Sequence, residues 1–308
     1  MEIDPRFVVG AWCVVGLVVG SFLNVAIHRL PLEGQSVIHP RRSRCPSCGH
    51  EITARENIPV LSWILLRGRC SACRWRIPLR YPLVELLNAA LWGFAGARAP
   101  SFALACIWAV VLSGIVVASF VDFDRFEIPD EISIGGMVLA PIASFLVPEL
   151  HASTWLAREL SGELQGGAVV DRTGAFLASL AGMATGGGIL LLIGWIGKKA
   201  FRREAMGLGD VKLLAAGGGF AGPGGAVLAL LLGSLVASVA GAANIARFTC
   251  LSRSRVRQRG TSKRILRSLA SARIAGRYLP FGPYLGIGIG IVLVAWKDVA
   301  RLWNELAL

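Results

Sequence analysis

Charged residues are scarce in this sequence of 308 residues: Asp, Glu, Lys and Arg together make up 17%, whereas hydrophobic residues make up 54%. A soluble domain of this length needs more charged residues to cover its surface. The composition therefore excludes a soluble domain that spans the whole chain. Several apolar runs reach about 18 residues, the length of a helix that crosses the core of a bilayer. They do not alternate polar and apolar residues as the strands of a membrane barrel do. We therefore predict an all-α polytopic membrane protein embedded in the lipid bilayer.

The first apolar run also lacks the features of a cleavable signal peptide. The first apolar run has no basic segment before it and no small-residue cleavage site, so we expect it to be retained as a helix. Applied to the whole chain, the length criterion predicts about eight spans. The sixth is short and glycine-rich, which predicts an irregular or tightly turned helix pair with the seventh. The predicted ranges are 8–27, 82–98, 101–121, 132–148, 174–196, 211–223, 225–246 and 283–299.

Acidic residues are too few to balance the basic ones: 19 Asp and Glu face 32 Lys and Arg, for a formal net charge of +13. In membrane proteins Lys and Arg accumulate in the cytoplasmic connections. If segment 28–80 lies in the cytoplasm, then 122–131, 197–210 and 247–282 do as well, and these four connections hold 25 of the 32 basic residues. The opposite orientation breaks this rule, so we predict that all four are cytoplasmic.

The pattern divides the chain into a first transmembrane helix (1–27), a small cytoplasmic unit (28–80) and a membrane domain (81–308) with a basic insertion at 247–282. Within that insertion, 253–277 is rich in arginine and carries apolar residues at roughly helical spacing. This pattern favours a helix lying on anionic lipid. Because no aromatic residues are interleaved with its charge, we predict no nucleic-acid partner.

Cysteine is present in an odd number, seven, so a disulfide framework that uses every thiol is excluded. Four of the cysteines form two Cys-x-x-Cys pairs, Cys45/Cys48 and Cys70/Cys73. Paired knuckles at this spacing bring four thiolates to the corners of a tetrahedron, which suits zinc. Because all four ligands are supplied by the protein, no position is left open for water. The zinc is therefore expected to be structural and to hold together a loop too small to build a core.

Aspartates occur at two predicted cytoplasmic ends of spans. Asp122 and Asp124 follow the third span, and Asp210 precedes the sixth in a Gly207-Leu-Gly209-Asp210-Val-Lys212 sequence. An outward and a return span separate them, so both ends lie on one face at similar depth. Such a pair can share one water, with one carboxylate as base and the other, protonated, as acid. The pattern alone also allows the alternative of solvated carboxylates at helix ends, with the glycines merely forming a turn.

Several motifs, in order along nearly the whole chain, resemble those of the type IV prepilin peptidases, the GxGD membrane aspartyl proteases of bacterial pilus and type II secretion systems. These segments are Gly20–Pro31, Cys45–Cys48, Asn57–Trp63, Leu66–Cys70, Arg80–Glu85, the Asp122 motif, Gly207–Leu214 and Pro280–Leu285. Two departures are visible. Glu56 stands where the family usually has Asp, and the basic segment is longer than usual.

The resemblance implies a bacterial inner-membrane protein that cleaves the leader peptide of type IV prepilins or type II secretion pseudopilins. It implies that Asp122 and Asp210 are catalytic, with Asp124, Gly207, Gly209 and Lys212 supporting the site. Relatives with the cysteine-bearing loop often also methylate the new N-terminus with S-adenosylmethionine. The sequence gives no separate support for that activity, because no strand, glycine-rich turn and helix of the kind that holds this cofactor is found.

Two other functions fit parts of the pattern. Acidic residues inside a membrane often belong to ion or proton transporters, but transport sites lie near the midplane between broken helices. A zinc-stabilised scaffold without chemistry would explain the cysteines but leave the paired aspartates unexplained. The depth of the aspartates therefore separates the peptidase from a proton-coupled transporter.

Overall fold

The computed structural model describes residues 4–32, 34–40, 42–161, 170–202, 206–257 and 279–306. Helices dominate this part of the chain, where extended pairing is limited to two isolated bridges. Two 3-10 turns, Arg55–Asn57 and Pro148–His151, accompany them. The helices are α1 (Pro5–Arg29), α2 (Leu61–Leu65), α3 (Arg80–Arg98), α4 (Phe102–Arg125), α5 (Asp130–Leu146), α6 (Trp155–Leu160), α7 (Arg172–Phe201), α8 (Leu208–Arg257) and α9 (Gly282–Leu306).

The predicted all-α membrane class is confirmed at the level of helices and membrane-compatible spans. Four of the described helices are long and apolar enough to cross a bilayer: α1, α4, α7 over Arg172–Ala200 and α8 over Leu208–Arg247. The number of eight spans stays a prediction. The basic segment also lies largely outside the described residues, which resume at 279 after 257, so its proposed lipid-bound helix is not described here.

Glycines let α1 and α3 lie against each other along most of their length. A Cβ added at Gly16 would lie 2.8 Å from the Ala89 Cα, and one at Gly20 would lie 2.8 Å from the Glu85 Cα. Helices in a membrane gain little from burying apolar surface, so close backbone contact of this kind supplies much of their association. The pair brings the end of α1 and the start of α3 to the same face of the protein.

Helix α8 is a hairpin of two helices rather than one rod. Gly222 has φ 75° and ψ 177°, a conformation that only glycine adopts easily. Gly217 packs so closely against Ile289 of α9 that there is no room for a Cβ, and Gly288 of α9 packs in the same way against Ala229. In a straight helix residues 217 and 229 would be about 18 Å apart, yet both meet adjoining residues of α9. The chain therefore turns back at Gly222, close to the predicted division between the sixth and seventh spans.

One face of the bundle collects the end of α4 and the starts of α8 and α9. Beneath it, buried side chains from several helices form a common apolar cluster, which fixes these ends relative to one another. Its buried members include Ala118, Ile128, Leu190, Val211, Leu214, Leu285 and Ile289. The opposite face carries the Gly222 turn, which lies against His151 and Thr154.

Candidate active site and metal centre

Asp122 lies in the last turn of α4 and is buried, with 5% of its surface exposed. The Gly282 backbone N–H donates a hydrogen bond of 2.9 Å to its Oδ2. Gly282 is the first residue of α9, and backbone N–H groups at a helix start have no partner within their own helix. The start of α9 therefore supplies a donor that stabilises a negative charge on Asp122.

Asp210 lies in the first turn of α8 and is partly buried. The neighbouring Gly209 packs against Ile128, which also contacts Gly282, the residue that binds Asp122. A Cβ at Gly207 would lie 3.6 Å from the Asp210 Oδ2, so the glycine leaves the carboxyl group open on that side. Asp122 and Asp210 therefore lie at the ends of two helices that share Ile128 as a neighbour, and their action as a catalytic pair stays a prediction.

Ile128 fills the space between the two aspartate-bearing segments. It lies in the short connection between α4 and α5 and is buried. A Cβ at Gly209 would lie 3.1 Å from the Ile128 Cβ, and one at Gly282 would lie 3.0 Å from its Cδ1. One apolar side chain therefore sets how closely the Asp210 segment and the Gly282 donor approach each other.

The other predicted charged residues point away from the aspartate pair. Asp124 forms an ion pair with Arg80 at the start of α3. The Lys212 Nζ lies 2.7 Å from the Asp130 Oδ1 at the start of α5. Residues two apart on a helix do not share a face, so Asp122 and Asp124 meet different neighbours. Asp124 and Lys212 tie helix ends together around the site.

Sequence reasoning missed two residues of this site. Gly282 was visible only as part of the Pro280–Leu285 motif, with no role attached to it. Ile128 carried no signal, because a single isoleucine in a short connection matches no pattern. Gly282 acts through its backbone N–H, and Ile128 acts through the space that its side chain fills. Neither property can be inferred from the type of residue.

The four predicted cysteines come together in the structure. The Sγ atoms of Cys45, Cys48, Cys70 and Cys73 all lie within 4.8 Å of one another, and those of Cys45 and Cys73 are 3.8 Å apart. A tetrahedral zinc with bonds of about 2.3 Å separates its sulfur ligands by about 3.8 Å. Geometry and donor chemistry therefore fit a zinc ion.

The two cysteine pairs form knuckles with the same backbone path. In each knuckle an isolated β-bridge joins the residue before the first cysteine to the sixth residue after that cysteine. The bridges are Arg44 to Glu51 and Arg69 to Arg76. The fourth residue after the first cysteine has a positive φ in both, 73° at Gly49 and 61° at Arg74. The repeated geometry presents two thiols from each knuckle to a common centre.

Glu56 connects the knuckles to each other. Its carboxylate is hydrogen-bonded by the hydroxyl of Ser71 in the second knuckle, by the N–H and hydroxyl of Thr53, and by His50 next to the first. These donors lower the pKa of Glu56 to about 2. The longer Glu in place of the family's usual Asp thus serves as a polar brace inside segment 28–80.

Comparison with known proteins defines the class. Residues 109–242 match the model of the type IV leader peptidase family, and residues 14–99 match the bacterial peptidase A24 N-terminal domain. The chain belongs to the type IV leader peptidase family. The first match contains both aspartates, and the second contains all four clustered cysteines.

The relatives are similar over almost their whole length. A prepilin leader peptidase/N-methyltransferase of Aeromonas hydrophila is 34% identical, over 93% of this chain and 90% of the relative. One from Pseudomonas putida is 31% identical, over 97% of this chain and 94% of the relative. No solved structure matches the chain. The resemblance recognised in the sequence motifs is thereby confirmed.

Proposed function

We propose that this chain is a membrane-embedded aspartyl endopeptidase that removes the leader peptide of prepilins or related pseudopilins. The observation that carries the proposal is the packing of one residue, Ile128, against both the Gly209–Asp210 segment at the start of α8 and Gly282, whose N–H binds Asp122 at the end of α4. Membership of the leader peptidase family supports the same activity. We place the active site at the cytoplasmic boundary of the bacterial inner membrane, in keeping with the distribution of basic residues.

The pair performs hydrolysis with one proton held between two carboxyl groups, since close carboxylates in a poorly hydrated site do not both ionise. The Gly282 N–H favours a charge on Asp122, so we assign Asp122 as the base that takes a proton from water. Asp210 donates its proton to the oxygen of the scissile carbonyl. When the intermediate collapses, the C–N bond breaks and Asp122 gives the proton that it took from water to the departing nitrogen. Asp210 regains a proton from a hydroxyl of the intermediate as the carbonyl re-forms, so both carboxyl groups return to their starting states.

A proton-coupled transporter is less compatible with this geometry. Transport sites lie near the middle of the membrane, where helices are broken. Here both aspartates lie within one turn of a helix end, and the break in α8 is at Gly222, twelve residues after Asp210. The break and the Asp210 carboxyl group are thus at opposite ends of the first arm of the α8 hairpin.

Two further assignments complete the proposal. We assign a structural zinc to Cys45, Cys48, Cys70 and Cys73, where it would organise 28–80 as a separate cytoplasmic unit beside the membrane domain 81–308. We also propose methylation of the new N-terminus with S-adenosylmethionine, because the similar relatives are named as N-methyltransferases. No residue is assigned to that cofactor.

The test is a cleavage assay with the purified full-length protein and a leader-bearing preprotein in detergent, with and without S-adenosylmethionine. Mass measurement of the product distinguishes cleavage from methylation. Asp122→Asn and Asp210→Asn should each abolish cleavage, since Asn can neither accept nor supply the required proton. The double variant should be no worse than either single variant, because the two residues act as a unit.

Asp124→Asn is the matched control. It removes a carboxylate from the same helix end but leaves the pair intact, so cleavage should continue, with the pH optimum allowed to shift. Near wild-type cleavage by Asp210→Asn would rule out an aspartyl protease. An inactive Asp124→Asn together with an active Asp122→Asn would preserve the class but overturn the residue assignment. Thermal unfolding of each variant checks that the fold is kept.

A further inference from the structure

Exposed apolar side chains cover one face of the short helix α2 in segment 28–80. Leu61, Ile64 and Leu65 are 49%, 58% and 71% exposed, and their spacing puts them on neighbouring positions of the helix surface. Trp63 turns the other way, where its Nε1 donates to the Ile77 carbonyl and its ring packs against Gly68. We call Leu61, Ile64 and Leu65 the α2 face. The described residues of segment 28–80 do not cover it.

The position of α2 along the membrane helices is fixed by Glu85. The Val60 N–H, just before α2, donates a hydrogen bond of 2.7 Å to the Glu85 Oε2. Ser21 of α1 hydrogen-bonds the same carboxylate. Val60 has φ 60°, an uncommon conformation for a β-branched residue, which only firm attachment maintains. Glu85 lies five residues into α3, about 7.5 Å from its start.

At the depth of Glu85, the outer surface of α3 is apolar. Leu83, Leu86 and Leu87 are 57%, 50% and 43% exposed, on a helix that lies directly against α1. Because α1 is long and apolar enough to span the bilayer, these leucines are at a depth where lipid is the available neighbour. The α2 face continues this lipid-facing surface toward the aqueous boundary.

The exposed charged residues that follow α2 in the sequence, before α3 begins, are all basic. From Asn57 to Val84 the sequence contains no Asp or Glu but five arginines. Arg80 is paired with Asp124, whereas the other four belong to the turn and knuckle that follow α2 and are exposed. A short apolar helix face bordered by basic residues is the pattern of a segment lying in the interface of an anionic membrane. The four exposed residues are Arg67, Arg69, Arg74 and Arg76.

We propose that the α2 face docks into the membrane leaflet on the side of the aspartates, with the neighbouring arginines on anionic lipid headgroups. Segment 28–80 then lies flat against the bilayer instead of projecting from it. Its second contact with the membrane helices, the Arg80–Asp124 pair, adjoins the end of α4 that carries Asp122. The lipid surface therefore helps to hold this segment beside the candidate active site. This inference does not depend on the chemistry of the aspartates.

The test places an environment-sensitive fluorophore on the full-length protein in nanodiscs. Cys13, Cys106 and Cys250 are replaced by Ser, the zinc cysteines are kept, and one thiol is introduced as Leu65→Cys. The matched control is Ala54→Cys, an exposed position of the same segment outside the α2 face. The background without an added thiol should take up no label.

In discs containing phosphatidylglycerol, the label at position 65 should emit at shorter wavelength. A nitroxide attached to lipid chains should quench it several-fold more strongly than the label at position 54, and aqueous iodide should do the reverse. Discs of phosphatidylcholine alone, or an Arg67→Gln/Arg69→Gln variant, should reduce this difference. Equal iodide quenching at both positions in every disc would overturn the proposal. Protection that appears only after a preprotein is added would assign the face to the substrate instead and would also overturn it.

Discussion

Near the aspartates, the absence of a side chain at Gly282 allows its backbone to approach Asp122 closely. A Cβ at Gly282 would lie 2.6 Å from the Asp122 Oδ2 and 3.0 Å from the Ile128 Cδ1. The first neighbour is the proposed base, and the second is held in the buried cluster beneath the site. Displacement of the Asp122 carboxyl group would disturb the hydrogen bond that it accepts from the Gly282 N–H.

We therefore expect Gly282→Ala to lower the cleavage rate by at least tenfold, which corresponds to about 1.4 kcal/mol of lost transition-state stabilisation. Gly290→Ala, in the same helix, is the control, because its added Cβ would meet only the Leu112 Cδ2 at 3.4 Å. The measurement is the cleavage rate at saturating preprotein. Equal activity of the two variants would show that the approach of α9 to Asp122 is not required.

The sequence predicted the pairing of Asp122 with Asp210 because topology alone brings the end of the third predicted span and the start of the sixth to one face. It left Asp124 as a candidate, since two carboxylates of one helix end cannot be told apart without their neighbours. The structure separates them through Arg80, which pairs with Asp124 from another helix. The donor to Asp122 comes from a backbone N–H 160 residues away. No residue type marks such a contact.

At the scale of elements, the knuckles predict how segment 28–80 responds to loss of its metal. The two turns have few buried apolar residues near them besides Cys45 and Cys70, so the ligands themselves hold the segment together. Cys45→Ser should release the metal and expose 42–77 to hydrogen exchange, while the membrane helices stay protected. Metal analysis and exchange measured by mass spectrometry provide the readout.

Cys106→Ser is the control for this variant, because Cys106 lies in α4 far from the knuckles in sequence. It should retain one zinc per chain. A wild-type protein without zinc, or a Cys45→Ser variant with full zinc content, would contradict the assignment.

Helices were predictable according to their length. Long apolar runs gave ranges that agree with α1, α4 and α7 to within a few residues, and the glycine-rich run near 222 indicated the turn in α8. The five-residue helix α2 was not predicted, because one turn and a half shows no periodicity. Its place depends on Glu85, a tertiary contact from another helix.

A histidine clamp holds the connection after α5 on the face opposite the aspartates. His151 is fully buried, with its Nε2 2.9 Å from the Ser144 Oγ and its Nδ1 3.3 Å from the Thr154 Oγ1. Burial lowers the pKa of His151 to about 4. The folded protein therefore keeps this ring neutral, whereas the unfolded chain binds a proton below its ordinary pKa of 6.5.

Between pH 4 and pH 6.5 the unfolded state binds more protons at His151 than the folded state does. The contribution of His151 to the free energy of unfolding is therefore fully present above pH 6.5 and is lost as the pH falls toward 4. The loss should be of the order of 3 kcal/mol. Thermal unfolding of the detergent-solubilised protein across this range measures it. His151→Asn should flatten the decline, whereas His28→Asn, at an exposed position, should leave it unchanged. The same slope in wild type and His151→Asn would assign the pH dependence to other groups.

The whole molecule is polarised between two faces. The aspartates, the cysteine centre and the ends of α4 and α8 lie toward one face, while His151, α6 and the Gly222 turn lie toward the other. Most Lys and Arg belong to the four connections that the sequence predicts to be cytoplasmic. The helices fix which residues share a face, but the choice of the cytoplasmic face depends on charge, which is a property of the whole chain.

This orientation predicts labelling from outside intact cells. In a background with Cys13, Cys106 and Cys250 replaced by Ser, a thiol introduced as Ser153→Cys should react with a membrane-impermeant reagent. Ser153 is exposed in the connection that carries His151. Ala54→Cys, exposed in segment 28–80, should react only after the membrane is permeabilised. The four zinc cysteines are protected by the metal and should give no signal before or after permeabilisation. Ready labelling of Ala54→Cys in sealed cells would invert the topology, and the proposed site would then face away from the cytoplasm, where a preprotein is first met.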